Sequence, residues 1–251
     1  MPLTSLRPRA ALLAATALGA ACVAVAAAPA HAETVSVTCT GTAQVLAETN
    51  TDYRLVGVCG PITLSGSNST LTGGRVAALT VSGTNASVTL GAVGPVTVTG
   101  SQGVLTVTSA GAVRLAGANA TLKAGPIGNL AVTGSNAQVS FTSAAAISAG
   151  TNAHLVGRSA TSLRIGASNV SAVLSGDVRT VVVTRSNSTV RARNVRTATV
   201  KGSNNVVRVR TLKRLTVRGV NQTVVVKKGT TKASIKGRNL VIKIRVPKKK
   251  R

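Results

Sequence analysis

Aliphatic and polar residues alternate along most of this chain, and the alternation recurs at an interval of about seventeen residues. A Gly-x-Asn triplet, or a near copy of it, marks each repeat. The polar positions lie 17, 17, 17, 17, 16, 17, 18, 17, 17 and 18 residues apart, at Asn68, Asn85, Gln102, Asn119, Asn136, Asn152, Asn169, Asn187, Asn204, Asn221 and Asn239. Such constancy predicts a solenoid of stacked coils. Asn50 fits one step upstream, with Glu48 in place of the glycine.

Each repeat also holds aliphatic residues at constant distances from its Asn, which predicts inward-facing columns of short strands. The column four residues before the Asn is broken only at Ser148, and the column three residues after it is aliphatic throughout. A third column, eight residues after the Asn, indicates a shorter side. Val, Thr and Ile dominate these segments and favour strands. The pattern predicts an all-β fold, a single-stranded, three-sided β-helix of eleven or twelve coils.

Coils stacked about 4.8 Å apart would form a rod roughly 55 Å long. A coil this narrow should keep aromatic side chains out of its interior, and the chain has one Tyr, one Phe and no Trp. The Asn column is predicted to be structural rather than a line of ligand-binding amides, because Gly and Asn tolerate left-handed backbone at a corner. Stacked amides also hydrogen-bond from coil to coil. The predicted ladder comprises Asn68, Asn85, Asn119, Asn136, Asn204 and Asn221.

We expect four segments along the chain. Residues 1–32 have the basic start, apolar run and small-x-small site of a secretory signal peptide, with a retained membrane anchor as the alternative. Residues 33–60 form an N-terminal cap, in which an even cysteine count in an exported chain favours a disulfide between Cys39 and Cys59. Residues 61–246 hold the repeats, which become basic from about residue 158, and residues 247–251 form a basic tail.

The signal peptide, the Cys39/Cys59 pair and the recurring V-x-V-x-G-x-N units resemble a domain-of-unknown-function family. Its members are short secreted actinobacterial proteins with Gly-x-Asn β-helix repeats. The resemblance covers roughly residues 37–244 and implies a bacterial envelope or extracellular location, with no agreed activity. This chain is longer, and more basic towards its end, than that pattern.

Positive charge is concentrated in the second part of the chain. The protein has 30 Lys+Arg against 4 Asp+Glu, a formal net charge of +26, and residues 151–251 hold 24 of the basic residues with one acid, Asp177. Cations recur three residues before the corner Asn, four after it and six after it. The predicted polyanion-binding residues in these three columns are Lys201, Arg218 and Lys236; then Arg191, Arg208 and Lys243; then Arg193, Arg210, Lys227 and Arg245.

Stacked like charges repel one another, most strongly at low salt, and an anionic polymer would relieve that repulsion. The columns therefore predict binding to a linear polyanion through counterion release. Suitable partners for an exported protein are teichoic acid or another phosphate-bearing wall polymer, acidic polysaccharide, anionic lipid head groups, or extracellular DNA bound without sequence specificity. The alternative is a structural or adhesive surface spacer whose charge only maintains solubility.

Enzymatic chemistry is not expected from this composition. Polysaccharide lyases and hydrolases with β-helix folds use paired carboxylates or calcium-binding acids. The four acids, Glu33, Glu48, Asp52 and Asp177, do not supply such a set, and His154 has no partner motif. We therefore expect a non-enzymatic protein that needs no cofactor and no metal, while the sequence leaves its oligomeric state open.

Overall fold

A computed structural model describes residues 33–245, and this part of the chain is a parallel β-solenoid of about twelve turns. Strands of successive turns pair in parallel, in register, at the repeat distance of about seventeen residues. The predicted fold class is confirmed. The strands are β1 (Glu33–Thr38), β2 (Gln44–Leu46), β3 (Thr51–Val56), β4 (Cys59–Leu64), β5 (Thr70–Gly73), β6 (Val76–Val81), β7 (Ser87–Val93), β8 (Val96–Val98), β9 (Val104–Ala110), β10 (Val113–Leu115), β11 (Thr121–Val132), β12 (Gln138–Ala149), β13 (His154–Ile165), β14 (Ser171–Val183), β15 (Thr189–Val200), β16 (Val206–Val220), β17 (Thr223–Val226), β18 (Lys232–Arg238) and β19 (Val241–Ile244).

Burial along a single turn shows where the chain bends. In β12 the buried residues are Val139, Phe141, Ala144, Ile147 and Ala149. Neighbours two residues apart lie on one straight side, because strand side chains alternate between faces. Steps of three residues, which occur twice in this strand, mark bends between sides. Together with the Gly-x-Asn corner, these two bends give each turn three sides.

The aliphatic columns of the sequence fill the core. The columns four before and three after the corner Asn are buried in nearly every turn, as are the residues eight after it, such as Ile127 and Val195. The predicted polar break at Ser148 is wrong. Ser148 pairs with Ala131 and faces outward, while the buried Ala149 takes the column position and is followed directly by Gly150. This corner is one residue shorter, which explains the spacing of sixteen.

The prediction that the interior excludes aromatic side chains is also wrong. Tyr53 and Phe141 are 4% and 6% exposed, and both belong to the hydrophobic core. The Tyr53 hydroxyl accepts a hydrogen bond of 3.0 Å from the backbone N–H of Glu48. Phe141 fits because the next turn places Gly157, which has no side chain, beside the ring. At Phe141 the narrow coil therefore accepts a ring because the paired residue of the next turn has no side chain.

Asn and Gly have separate roles at the corner. The twelve corner residues from Asn50 to Asn239 all have positive φ between 53° and 59°, a region that Asn tolerates better than most residues. At most corners the residue two positions earlier is a glycine that is needed for space: a Cβ on Gly117 would lie 1.9 Å from the carbonyl oxygen of Gly100. Glu48 replaces this glycine at the first corner that the structure describes, and Ala167 and Arg185 replace it before Asn169 and Asn187, so the requirement holds for the corners that approach as closely as Gly117 and Gly100.

Hydrogen bonds join the corner amides into ladders. In each bond Nδ2 of one Asn donates to Oδ1 of the Asn one turn earlier, at 3.0–3.3 Å. The bonds form three runs, Asn50–Asn68–Asn85, Asn119–Asn136–Asn152–Asn169 and Asn187–Asn204–Asn221. All six residues assigned to the ladder from the sequence take part. Gln102 stands between the first two runs.

Cys39 and Cys59 form a disulfide that closes the first turn, with their Cα atoms 4.7 Å apart. Their separation of 20 residues suggests a stabilisation of about 3 kcal/mol from the shortened unfolded chain. The expected signal peptide and most of the expected basic tail lie outside the described residues. Within residues 33–245, no helix is long and apolar enough to cross a bilayer.

Candidate polyanion-binding surface

All ten predicted polyanion-binding residues are exposed. Each directly follows an aliphatic residue of an inward column, so strand alternation itself turns it towards solvent. Stacking then sets the distance between neighbours in a column, about 4.8 Å from one turn to the next. The surface is therefore a property of the repeat: most of these cations recur at one position of successive turns.

The column four residues after the corner Asn is interrupted. Arg191 of β15 pairs directly with Arg208 of β16, so these two guanidinium side chains start from adjacent backbone positions. Arg208 then pairs with Val225, and Val225 pairs with Lys243. The structure thus brings Arg191 and Arg208 together and leaves Lys243 two turns away from Arg208.

The column six residues after the Asn is continuous over four turns. Arg193 lies beside Arg210, since the residues on either side of them are paired between β15 and β16. Lys227 follows in the next turn, where its N–H donates to the carbonyl of Val209, and Arg245 follows Ile244 in the last described turn. Three steps of stacking place the four cations along roughly 14 Å of the solenoid.

A shallow groove of about 370 Å³ lies between these two columns. Its walls are Arg191, Ala192, Arg208, Val209, Arg210 and Lys227. The positions four and six after the Asn are two residues apart on one strand, which separates them by about 7 Å. The cations on the two sides of the groove are therefore about 7 Å apart. An anionic chain running along the solenoid axis would meet a cation on either side in the turns of Arg191 and Arg208, and Lys227 on one side in the next turn.

The column three residues before the Asn lies across the corner from the other two. Lys201 and Arg218 follow the paired residues Val200 and Val217, and Arg218 pairs with Lys236 of β18. Two buried amides hold the corner beneath them. Nδ2 of Asn205 donates to the carbonyl of Lys201 at 2.8 Å, and Nε2 of Gln222 donates to the carbonyl of Gly202 at 2.7 Å. Lys201 therefore projects from a well-fixed backbone.

A fourth cationic column was not predicted from the sequence. Arg179, Arg196 and Lys213 are exposed and stack in successive turns, each directly after a buried residue of the column eight after the Asn. Their own spacing of seventeen residues is the signal that could have found them. The column is not visible when residues are counted from the corner Asn. The turn after Asn169 has eighteen residues, so Arg179 lies one residue further from its Asn than Arg196 and Lys213 lie from theirs.

The irregular turn is the one that carries Asp177. Register shifts occur between Gly157 and Ala160 and between Leu174 and Asp177, so the extra residue enters beside the acid. The Asp177 carboxylate accepts a 2.7 Å hydrogen bond from Nδ2 of Asn194, whose Oδ1 accepts another of 2.7 Å from the Thr211 hydroxyl. This polar row separates the cations six after the Asn from the fourth column.

Asp177 also lines two open grooves. One, of about 700 Å³, contains Arg158 and Arg193 together with hydroxyl side chains, and the other, of about 400 Å³, contains Arg179, Arg196 and Lys213. The single acid of this half of the protein thus shares two grooves with Arg and Lys side chains. Among the residues that the structure describes, no three His, Cys, Asp or Glu side chains are grouped to hold a metal ion.

Earlier turns have the same geometry with far less charge. The position six after the Asn holds Gly91, Thr108, Gly125 and Thr142 where the turns from Asn187 onward hold Arg or Lys. The position three before it holds Ser82 and Thr99 in place of Lys201 and Arg218. The two halves of the solenoid therefore differ in side-chain charge and share one backbone plan.

A family model matches the basic half. The match covers residues 183–239, and the model is described as a protein of unknown function (DUF3060). It supports the resemblance to a domain-of-unknown-function family, and the matched segment contains eight of the ten predicted polyanion-binding residues. The cationic columns therefore lie largely within the part of the chain that is similar to that family. No curated protein and no solved structure matches the chain.

Proposed function

We propose that this protein is a non-enzymatic, extracytoplasmic protein whose cationic turns bind a linear anionic polymer of the cell envelope. The observation that carries the proposal is the groove between Arg191 and Arg208 on one side and Arg210 and Lys227 on the other. A line of stacked cations matches a ligand that is itself a line of anions. The charge is provided by a repeat, so the polymer would be held by many equivalent contacts.

Electrostatics supplies the binding free energy in this proposal. Two unit charges about 4 Å apart in water repel by about 1 kcal/mol, and flexible side chains reduce this by spreading apart. Each cation that pairs with a polymer anion removes part of that repulsion and releases a condensed counterion from the polymer. Binding should therefore be strong at low salt and fall steeply as salt rises.

Guanidinium groups favour phosphate or carboxylate as the anion. Their planar donors form paired hydrogen bonds with either group. Base stacking would need aromatic side chains, and the single Tyr and Phe are buried in the core. The proposed ligands are accordingly phosphate-bearing wall polymers such as teichoic acid, acidic polysaccharides, or DNA bound through its backbone alone.

The location outside the cytoplasm is part of the proposal and rests on the sequence of residues 1–32. If this segment is a cleaved signal peptide, protein recovered from the culture fluid or the envelope of its host should begin at Glu33. Amino-terminal sequencing or intact mass measures this directly. Recovery of the chain with residues 1–32 still attached would argue for the membrane anchor instead.

The binding test uses fluorescently labelled long-chain inorganic polyphosphate, titrated with the purified protein between about 0.05 M and about 0.5 M NaCl. We expect the logarithm of the association constant to fall linearly with the logarithm of salt concentration. The triple variant Arg193→Gln, Arg210→Gln, Lys227→Gln should lose about ten-fold or more in affinity at physiological salt. Its salt slope should be shallower by about two to three.

The matched control neutralises three exposed cations of the early turns, Arg54→Gln, Arg75→Gln and Arg114→Gln, and so changes net charge by the same amount. It should bind like the unmodified protein. Equal losses in the two triple variants would mean that net charge alone attracts the polymer. No binding even at the lowest salt would leave the charged surface spacer as the better hypothesis.

A further inference from the structure

A β-bulge in β14 interrupts the regular stacking of the cationic turns. Two residues of this strand, Ser175 and Gly176, lie opposite the single residue Arg193 of β15. The register of β14 against β13 shifts over the same residues. A bulge bends its strand and redirects the side chains beside it, and bulges are over-represented next to active sites. The surface at this turn therefore has a shape that the repeat alone does not produce.

The bulge lies at a gap in a column of cations. The position six after the corner Asn holds Arg158, Ser175 and Arg193 in successive turns, so a small hydroxyl side chain separates two guanidinium groups. Two steps of stacking place the backbones of these two Arg residues about 10 Å apart. Gly176 adds no side chain, and a Cβ there would lie 2.7 Å from the carbonyl oxygen of Arg158. The resulting groove of about 700 Å³ has the volume of a site for a small organic group.

Hydroxyl side chains line this groove. They come from β12, β13 and β14 and are Thr142, Ser143, Ser159 and Ser175. A hydroxyl group both donates and accepts hydrogen bonds, so these walls suit a ligand that itself carries hydroxyl groups. The groove between Arg191 and Lys227 has only Arg, Lys, Ala and Val in its walls. The two grooves therefore offer different chemistry to one bound polymer.

Asp177 lies in the wall of the same groove. It is the single acid among residues 151–251, and a surface that only attracted anions would be weakened by its repulsion. Its Oδ1 accepts the 2.7 Å hydrogen bond from Asn194, whereas its Oδ2 accepts none from any of residues 33–245. Hydrogen bonds to an ionised carboxylate are stronger than those between neutral groups. Asp177 is thus held through one oxygen and can accept a ligand hydroxyl through the other.

We infer that this groove binds a polymer unit that carries a hydroxyl group beside its anion, such as a uronic acid or a glycerol phosphate. Arg158 and Arg193 pair with the carboxylate or phosphate, and Asp177 accepts a hydrogen bond from the neighbouring hydroxyl. The inference rests on the proposed function, because it names the kind of unit that the bound polymer contains. The cationic columns attract any linear polyanion, and this groove adds a preference for a hydroxylated one.

The test uses two pairs of polymers that share an anion and differ in hydroxyl groups. Oligogalacturonate is compared with poly-L-glutamate, and poly(glycerol phosphate) with inorganic polyphosphate, at equal numbers of charges. Asp177→Asn keeps an acceptor for Asn194 and loses the charge. It should weaken binding of a hydroxylated polymer about five-fold, through loss of a charge-assisted hydrogen bond. The hydroxyl-free partner should bind equally well or slightly more tightly, because a repelling charge has been removed.

Arg158→Gln has a matched control in Arg164→Gln, which removes another exposed cation of β13 on a different side of the turn. The first substitution should weaken binding of the hydroxylated polymer more than the second, and the two should act alike on the hydroxyl-free one. Isothermal titration calorimetry at constant salt measures all four polymers. A preference within the carboxylate pair alone, or within the phosphate pair alone, supports the inference and identifies the anion.

Two results would overturn the inference. One is that Asp177→Asn strengthens binding of the hydroxylated polymers as much as that of their hydroxyl-free partners. The other is that Arg158→Gln and Arg164→Gln weaken the hydroxylated polymers equally. Either result would leave the salt-dependent binding of polyphosphate, and so the proposed function, unaffected. Failure of all four polymers to bind would overturn the proposed function together with the inference.

Discussion

Gly117→Ala is expected to lower the free energy of unfolding by about 4 kcal/mol or more, among the largest effects of any single substitution. The new Cβ would lie 1.9 Å from the carbonyl oxygen of Gly100 in the turn beneath and 2.7 Å from its carbonyl carbon. Both obstacles are backbone atoms, so no side-chain rotation relieves the overlap. Two turns would have to separate, and their separation would stretch the hydrogen bonds of all three sides.

Gly74→Ala provides the matched control. Gly74 also lies in an early turn, but a Cβ there would meet no atom within 4 Å. Alanine should leave stability unchanged or raise it by about 0.4–1 kcal/mol, because it restricts the unfolded chain. Urea unfolding followed by circular dichroism measures both variants. If Gly117→Ala proved as stable as Gly74→Ala, the close approach of successive corners would not be what requires glycine.

The repeat made the fold predictable because its period is visible in the residues that the corner needs. Asn at positive φ recurs in almost every turn, and aliphatic residues fill the inward columns, so spacing alone gives the coil. The separate roles of the two corner residues were not predictable. The sequence shows that Gly and Asn occur together, whereas the overlap at Gly117 depends on the backbone of a different turn.

One error in the core arose where a turn differs in length. The corner before Asn152 is one residue shorter, which moved Ala149 into the column predicted for Ser148. Counting a fixed number of residues from the corner Asn does not show where a sixteen-residue turn is shortened. The missing residue could lie at any point between two inward columns. Pairing of the flanking strands decides it.

The same limitation affected the charged surface. Alternation correctly turned the three predicted columns of Lys and Arg outward, since every second residue of a strand faces away from the core. The fourth column was not predicted because the insertion beside Asp177 displaces Arg179 relative to Asn169. The groove between Arg191 and Lys227 was also beyond sequence reasoning, since it depends on where the turn bends.

The second large effect concerns Phe141, the ring that the narrow interior accommodates. Phe141→Ala should lower the free energy of unfolding by about 3–5 kcal/mol through the cavity that it leaves. Gly157→Ala should cost about 1–3 kcal/mol, because its Cβ would lie 2.3 Å from two atoms of the Phe141 ring. The ring is 6% exposed and has little space into which it can move.

The double variant distinguishes this explanation from two unrelated defects. Without the ring, the methyl group that Gly157→Ala introduces has no ring atom to overlap and fills part of the cavity, so the double variant should be more stable than the sum of the single losses by about 2 kcal/mol. Gly166→Ala, whose Cβ would meet nothing within 4 Å, should show no such coupling with Phe141→Ala. Strict additivity for Gly157 would mean that the empty position does not create the space for the ring. Non-additive losses for Phe141→Ala and Gly157→Ala would show that this turn can hold an aromatic side chain because the next turn has none at the paired position.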